Sequence, residues 1–466
     1  MDGITIRQRG SSLRFLIPRV SITGLVGDIK RNDTSMTSLQ LFHNPHNEVY
    51  SLKTKTQGYT LVELVVVMAI FVIVIMVVGQ TFSSVLSHAS KLFKSEESNI
   101  EGIIGLEVMR HDLNNAGFGL FTEATGANYQ EASNGISASP ALNDAPNDPP
   151  RPIIALERSA ANCSAATTDQ ADNQNYTLIP CSDYLSVKGT SLGTSSAAKR
   201  WTYLNYSSHA GGASVKPTIW NISTKNPQQG DSVVVVSKNS SSLSNSTVLM
   251  TQQVGGFYYQ FSSTAFNSFT SASTSAAINV YGVGSGALRM PFNRADFFVA
   301  KPPLTSQISA TCAPGTGVLY KAMVNQTDGN LTYMPLMDCV AGMQIVLGWD
   351  TNGDGVIDTW SNADGTQVSG AAPSATVMSA LTAASNASST AATVNIRNNL
   401  KMVKVYILAQ VGKKDTNYSS PTPILAGDTG ELSLTYSYDI AASGWLNYRW
   451  KLYEIVVTPK NLNSNQ

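Results

Sequence analysis

Residues Leu64 to Gly79 read LVVVMAIFVIVIMVVG, a run with no charge and no proline. Only a lipid phase or a helix bundle accepts such a segment. Counted from Leu61 through Leu86, it exceeds the roughly 20 apolar residues needed to cross a bilayer, with Glu63 near its start and Gln80 and Thr81 near its end. The pattern predicts one membrane-spanning helix. Residues 1–58 hold eight Lys and Arg against four Asp and Glu, whereas the remainder holds 23 basic and 27 acidic residues. Lys53 and Lys55 lie closest to the span, so the positive-inside rule places the N-terminal side in the cytoplasm and everything after Leu86 outside.

Helical periodicity continues past the membrane. Phe82, Val85, Leu86, Ala89 and Phe93 fall on one stripe, and Leu106, Met109, Leu113 and Ala116 extend it. Gly102 and Gly105 weaken a helix without ending it as a proline would, and no proline occurs from Gly58 to Ser139. Gly117 and Gly119 are the expected stop, so a helix from Leu61 to Gly117 is about 85 Å long at about 1.5 Å per residue.

Beyond the helix the composition changes. Charged residues are 13% of the chain, well under the roughly 25% of soluble domains, and Ser, Thr, Asn, Ala and Gly abound, as in a β-rich exported domain. Ser232–Ser237, Gly256–Phe261 and Asp296–Ala300 read as short strands joined by long surface loops. Pro146–Pro152 reads as an exposed linker or turn, and Gly370–Thr393 is low-complexity. More regular strands are expected at Met343–Trp349, Leu400–Gln410 and Tyr448–Pro459, the last two as neighbours in a sheet packed on the helix. The net charge is zero, so no basic excess points to nucleic acid. Cys163, Cys181, Cys312 and Cys339 allow three pairings or buried free thiols. The expectation is two local disulfides, Cys163 to Cys181 and Cys312 to Cys339, in an oxidising compartment.

The junction Lys53-Thr-Lys55-Thr-Gln-Gly58-Tyr59-Thr-Leu-Val-Glu63 resembles the class III signal of type IV prepilins. That resemblance implies cleavage after Gly58 by a prepilin peptidase and methylation of the new amine on Tyr59. Tyr59 stands where Phe is commoner, and the 58-residue leader is long, with Met36 an alternative start. Glu63 has weight of its own, because an ionisable residue within a membrane helix costs about 2.5 to 3.5 kcal/mol on insertion scales. It either snorkels to the headgroups or neutralises the amine of a neighbouring subunit; resemblance to pilins implies the second, setting subunit register.

Glu107-Val-Met-Arg110-His-Asp112-Leu-Asn-Asn-Ala116-Gly117-Phe118 is similar to the arginine, aspartate and alanine-glycine-aromatic signature of PilW-type minor pilins. The runs Val340–Asp350, Leu400–Gln410 and Tyr448–Val457 look like the C-terminal half of that family in the same order. The expected organisation is a leader at 1–58, a pilin helix at 59–120 with its transmembrane half at about 61–86, a Ser/Asn-rich β region at 121–335, and a PilW-like β region at 336–466. The fold class is α+β and pilin-like, a long N-terminal membrane-spanning helix packed on a C-terminal β-rich domain. The resemblance implies a minor pilin that primes or caps a pilus. Its partners are other minor and major pilins, the prepilin peptidase and the inner-membrane assembly platform. The chain is then single-pass in the inner membrane before assembly and in the extracellular pilus afterwards. A type II secretion pseudopilin and a membrane-anchored adhesin are the rival readings.

Asp350-Thr-Asn352-Gly-Asp354-Gly355-Val356-Ile-Asp358 matches the first nine positions of a calcium-binding EF-hand loop. Asp350, Asn352, Asp354 and Asp358 offer side-chain oxygens and Val356 its carbonyl, while position 12 is Ser361 and Asp364 is the candidate substitute carboxylate. The other reading is an Asx-rich turn with no Ca2+. No enzyme is expected. After Gly58 the histidines are His88, His111 and His209, with no HExxH, no zinc-type cysteine and histidine spacing, and no Walker Gly-Lys-Ser/Thr.

Overall fold

A computed structural model describes residues 59–123, 126–133, 138–156, 175–180, 182–205, 216–238, 247–251, 256–261, 278–363, 367–370, 396–426, 436–441 and 443–462. At residues 87, 88, 90–101, 205, 216, 367–370, 426 and 436 only the backbone is described. The chain divides into two units, Met1–Ile73 and Val74–Gln466. In the first, residues 59–73 form the apolar opening of α1, Leu61–Asn114, and Val62, Leu64, Phe71 and Ile73 there are all more than half exposed. Leu61–Leu86 is long and apolar enough to cross a membrane.

The second unit contains, in chain order, β1 Ile153–Leu156, β2 Thr177–Leu178, β3 Tyr184–Gly189, β4 Trp201–Asn205, β5 Lys216–Pro217 and β6 Asp231–Lys238. There follow β7 Thr247–Leu249, β8 Tyr259–Gln260, β9 Ile278–Ser285, β10 Asn293–Lys301, β11 Gly317–Val324 and β12 Leu331–Trp349. Last come β13 Thr359–Asn362, β14 Gln367–Gly370, β15 Leu400–Val411, β16 Ile424–Ala426, β17 Tyr436–Tyr438 and β18 Arg449–Val457.

A ten-stranded sheet has the order β1-β3-β10-β11-β12-β13-β14, with β15 on β12, β18 on β15 and β2 on β10. A six-stranded sheet has the order β5-β4-β9-β6-β7, with β8 on β6. β12 is the hinge of the large sheet: Leu331–Val340 pairs with β11 and Val340–Trp349 with β15. The partner changes at a register break beside Cys339, whose φ of 56° and disulfide to Cys312 mark the same point. β15 and β18 pair in register from Val403↔Val457 to Val411↔Arg449, the adjacency expected from sequence.

Alternation along β10 shows the layers. Ala295, Phe297 and Val299 join the cluster that receives Leu106, Met109, Leu113 and Ala116 of α1. Phe298 and Ala300 face the opposite way, into a cluster shared with Val234, Val236 and Val283 of the six-stranded sheet. Both faces of the large sheet are therefore covered at β10, and Cys339–Trp349 of β12 and Val403–Gln410 of β15 are likewise buried at every residue. Gly105 lets α1 approach β12 closely, since a Cβ there would collide with the backbone oxygen of Leu336. Gly117, at φ 81°, ends the helical path as expected.

Two expectations change. The segment 146–152 is an exposed turn only at its start, where Pro146 and Asn147 are exposed: Pro149, Pro150, Arg151 and Pro152 are buried. Arg151 Nε lies 2.5 Å from Asp144 Oδ1, Lys188 Nζ 2.6 Å from Asp144 Oδ2, and Lys188 Nζ also 2.7 Å from Glu131 Oε2. Arg294 Nη1 reaches Glu131 at 3.0 Å and its Nε reaches Asp296 at 2.8 Å. Three cations and three carboxylates thus balance one another out of water and clamp this segment to the sheet. The second change concerns the middle of the chain: β10 and β11 are long, buried strands of the same sheet as β12, and the expected boundary at 335/336 falls inside β12.

Candidate functional site

α1 begins with a reciprocal cap. Thr60 N and Thr60 Oγ1 donate to Glu63 Oε2 at 3.1 and 3.2 Å, and Glu63 N donates to Thr60 Oγ1 at 3.3 Å. This is the Thr-x-x-Glu capping box, which satisfies two donors that lipid cannot and places a carboxylate at the positive end of the helix dipole. Thr60, three residues before Glu63, is a functional residue that the Thr-x-x-Glu spacing alone could have marked. Tyr59 is 86% exposed, and Gly58 lies outside the described residues.

The far end of α1 carries the arginine and aspartate signature. Arg110 remains on the surface, 3.7 Å from Glu107, while Asp112 is buried and its Oδ2 lies 2.5 Å from Lys321 Nζ on β11. His111 is exposed and contacts Asp112 and Asn115.

The loop after β12 gathers four of the predicted oxygen donors by its own hydrogen bonds. Asp350 Oδ1 accepts from Gly353 N at 2.6 Å and its Oδ2 from Gly355 N at 2.8 Å. Asp358 Oδ2 accepts from Thr351 N and Oγ1 at 2.8 and 2.9 Å, which holds its carboxyl below the usual range. Asn352 Nδ2 donates to Asp354 Oδ2 and Asp358 Oδ1, each at 3.2 Å. Gly353 and Gly355, at φ 82° and 87°, supply the left-handed turns. Lys401 Nζ stands 3.5 Å from Asp350 Oδ2. Among the described residues no three His, Cys, Asp or Glu side chains are grouped to hold a metal ion, and Asp364 lies outside them.

Residues 307–461 match the family model described as Type IV Pilus-assembly protein W, and residues 53–79 match the prokaryotic N-terminal methylation motif. These two segments support a PilW-type type IV pilin with a class III signal. No curated protein and no solved structure matches it.

The PilW match begins upstream of the residue-336 limit read from sequence and takes in β11, Cys312 and all of β12. The Cys312–Cys339 disulfide therefore lies within the PilW-type region, Cα to Cα 4.9 Å, as expected. Cys163 and Cys181 lie outside the described residues. The expectation of no enzyme included no G-x-S-x-G, yet Gly189-Thr190-Ser191-Leu192-Gly193 fits that motif. Here it forms a single 3₁₀ turn after β3 rather than the strand-to-helix elbow that exposes a nucleophile, and His111 is engaged elsewhere. The matched families are structural components of pili.

Proposed function

We propose that the chain, cut after Gly58 and methylated on Tyr59, is a minor pilin that primes or caps a pilus from the inner membrane, its β domain outside the cytoplasm. The observation that carries this reading is Glu63, a carboxylate on the first turn of an apolar helix, in register with Gly58 and Tyr59. In lipid it neutralises the new amine of a neighbouring subunit, exchanging part of its bond to Thr60 for an ion pair in low dielectric. The PilW-type region favours a pilus over a secretion pseudopilin.

Two substitutions separate cap from charge. Glu63→Gln keeps a side chain able to cap Thr60 but removes the charge, and Glu63→Ala removes both. Both variants are expected to be processed and folded yet poorly incorporated into pili. Wild-type incorporation of Glu63→Gln would reduce Glu63 to a helix cap.

The loop 350–358 is proposed as a weak calcium site. Asn352 Nδ2 already draws the Asp354 and Asp358 carboxylates toward one donor, and a cation takes over that role with more charge. Asp350, Asn352, Asp354, Val356 and Asp358 supply oxygens, with Asp364 as the further carboxylate.

A further inference from the structure

Side chains two residues apart on a strand share a face, so Trp201 and Tyr203 of β4 lie together, with Tyr281 of β9 directly opposite Trp201. Val234 and Val236, on the same face, are sealed against the ten-stranded sheet. Trp201 and Tyr203 are instead 37% and 40% exposed, so the sheet overhangs its support at β4. The rings of Trp201 and Tyr281 lie within 24° of parallel, centroids 6.4 Å apart. Trp220 sits 5.0 Å from Trp201, and its Nε1 donates to the Trp201 carbonyl at 2.7 Å. Asn226 fixes the Trp220 backbone from both sides, accepting from its N at 2.7 Å and donating to its O at 2.9 Å. These rings are pre-positioned, so covering them orders little.

The chain around them carries cations, of which Lys188 and Arg200 are already paired with carboxylates. No Asp or Glu occurs between Asp183 and Asp231, a stretch holding Lys188, Lys199, Arg200, Lys216 and Lys225. Arg200 is paired with Asp231 and Lys199 Nζ donates to Ser191 O, while exposed Lys225 has no carboxylate partner among the described residues. On the other flank, Arg397 donates from Nη1 to Leu120 O at 3.1 Å and adjoins Tyr281, again with no carboxylate partner among the described residues. A partly buried guanidinium with no carboxylate partner among the described residues is costly to keep charged, and burial drags its pKa down despite the nearby Tyr281. An anion from outside removes that cost.

We propose that this overhang binds an acidic saccharide, its sugar C–H faces on Trp201 and Tyr203 and its carboxylate on Arg397. Aromatic faces are electron-rich and meet the polarised C–H groups of a sugar ring, and a guanidinium fork fits a carboxylate. Single-stranded nucleic acid is the less favoured anion, because it needs a row of cations along its phosphates and the free cations here are few.

Calorimetry on the detergent-solubilised full chain tests this without requiring pilus assembly. Oligogalacturonate, a neutral cello-oligosaccharide, oligo-dT and polyglutamate are titrated with chelator present, so that calcium does not bridge carboxylates. Saturable binding of oligogalacturonate is expected, about tenfold or more tighter than the neutral oligomer, the scale of a lost charge-assisted hydrogen bond. Arg397→Gln should erase that preference and Trp201→Ala, at an exposed position, should weaken both sugars. No heat with oligogalacturonate, tighter binding of oligo-dT or polyglutamate, or unchanged binding in both variants overturns the proposal.

Discussion

Asp112, in the last turn of α1, and Lys321, on β11, form an ion pair of 2.5 Å whose side chains are 4% and 9% exposed. The pair ties the end of the pilin helix to the ten-stranded sheet, beside Met109 and Leu113 in the apolar layer. Removing one partner leaves the other charged and buried, which costs about 3 to 5 kcal/mol. Asp112→Asn and Lys321→Met should each lower the Tm steeply, whereas Asp112→Leu with Lys321→Met should recover much of the loss. Single variants with unchanged Tm would show that the pair does not hold the helix.

The buried charge clamp makes the domain acid-sensitive. Burial alone pushes the Asp144 carboxyl up, but the Lys188 ammonium and the Arg151 guanidinium outweigh it and hold it below its ordinary range. Such a group adds stability that is fully present above its unfolded pKa, about 3.9, and is lost as the pH falls through the lower folded value. The Tm should hold from neutral pH down to about 5 and fall below about 4. Asp144→Asn should lower the Tm at pH 7 and flatten the acid limb; an acid limb as steep as that of the wild type would assign the sensitivity to other groups.

Two helix glycines should respond differently to alanine. A Cβ at Gly105 meets the backbone oxygen of Leu336, which cannot yield cheaply, so overpacking of about 1 to 3 kcal/mol exceeds the gain of about 1 kcal/mol in helix propensity. At Gly102 the nearest atom is Met337 Cε, 2.9 Å away at the end of a flexible side chain. Thermal melts should show Gly105→Ala destabilised and Gly102→Ala near neutral; the reverse order would mean that α1 sits differently on β12.

Calcium should raise the Tm of the wild-type chain with a midpoint of roughly 10⁻⁴ to 10⁻³ M, the weak extracellular range. Asp354→Ala should abolish the rise. A wild-type Tm indifferent to millimolar calcium would leave the loop as a hydrogen-bonded turn.

The helix, its stop at Gly117 and the β15–β18 pair were legible because each writes a local period or run into the sequence. The first half of β12 was not, since Pro335 and Cys339 interrupt the pattern and only a bulged, partner-switching strand accommodates them. The charge clamp was invisible for a different reason: Glu131 and Arg294 meet across 163 positions, and nothing local to either residue marks it as buried. Arg397 likewise shows that it has no carboxylate partner among the described residues only once β9 and the start of the β domain come together around it.

The central claim, a processed pilin carried into the fibre, is tested most directly at its N terminus. Pili sheared from cells with active prepilin peptidase should contain this chain, and mass spectrometry should find it beginning at N-methylated Tyr59. A chain that keeps residues N-terminal to Tyr59, or one absent from sheared pili while abundant in the membrane, would contradict the account.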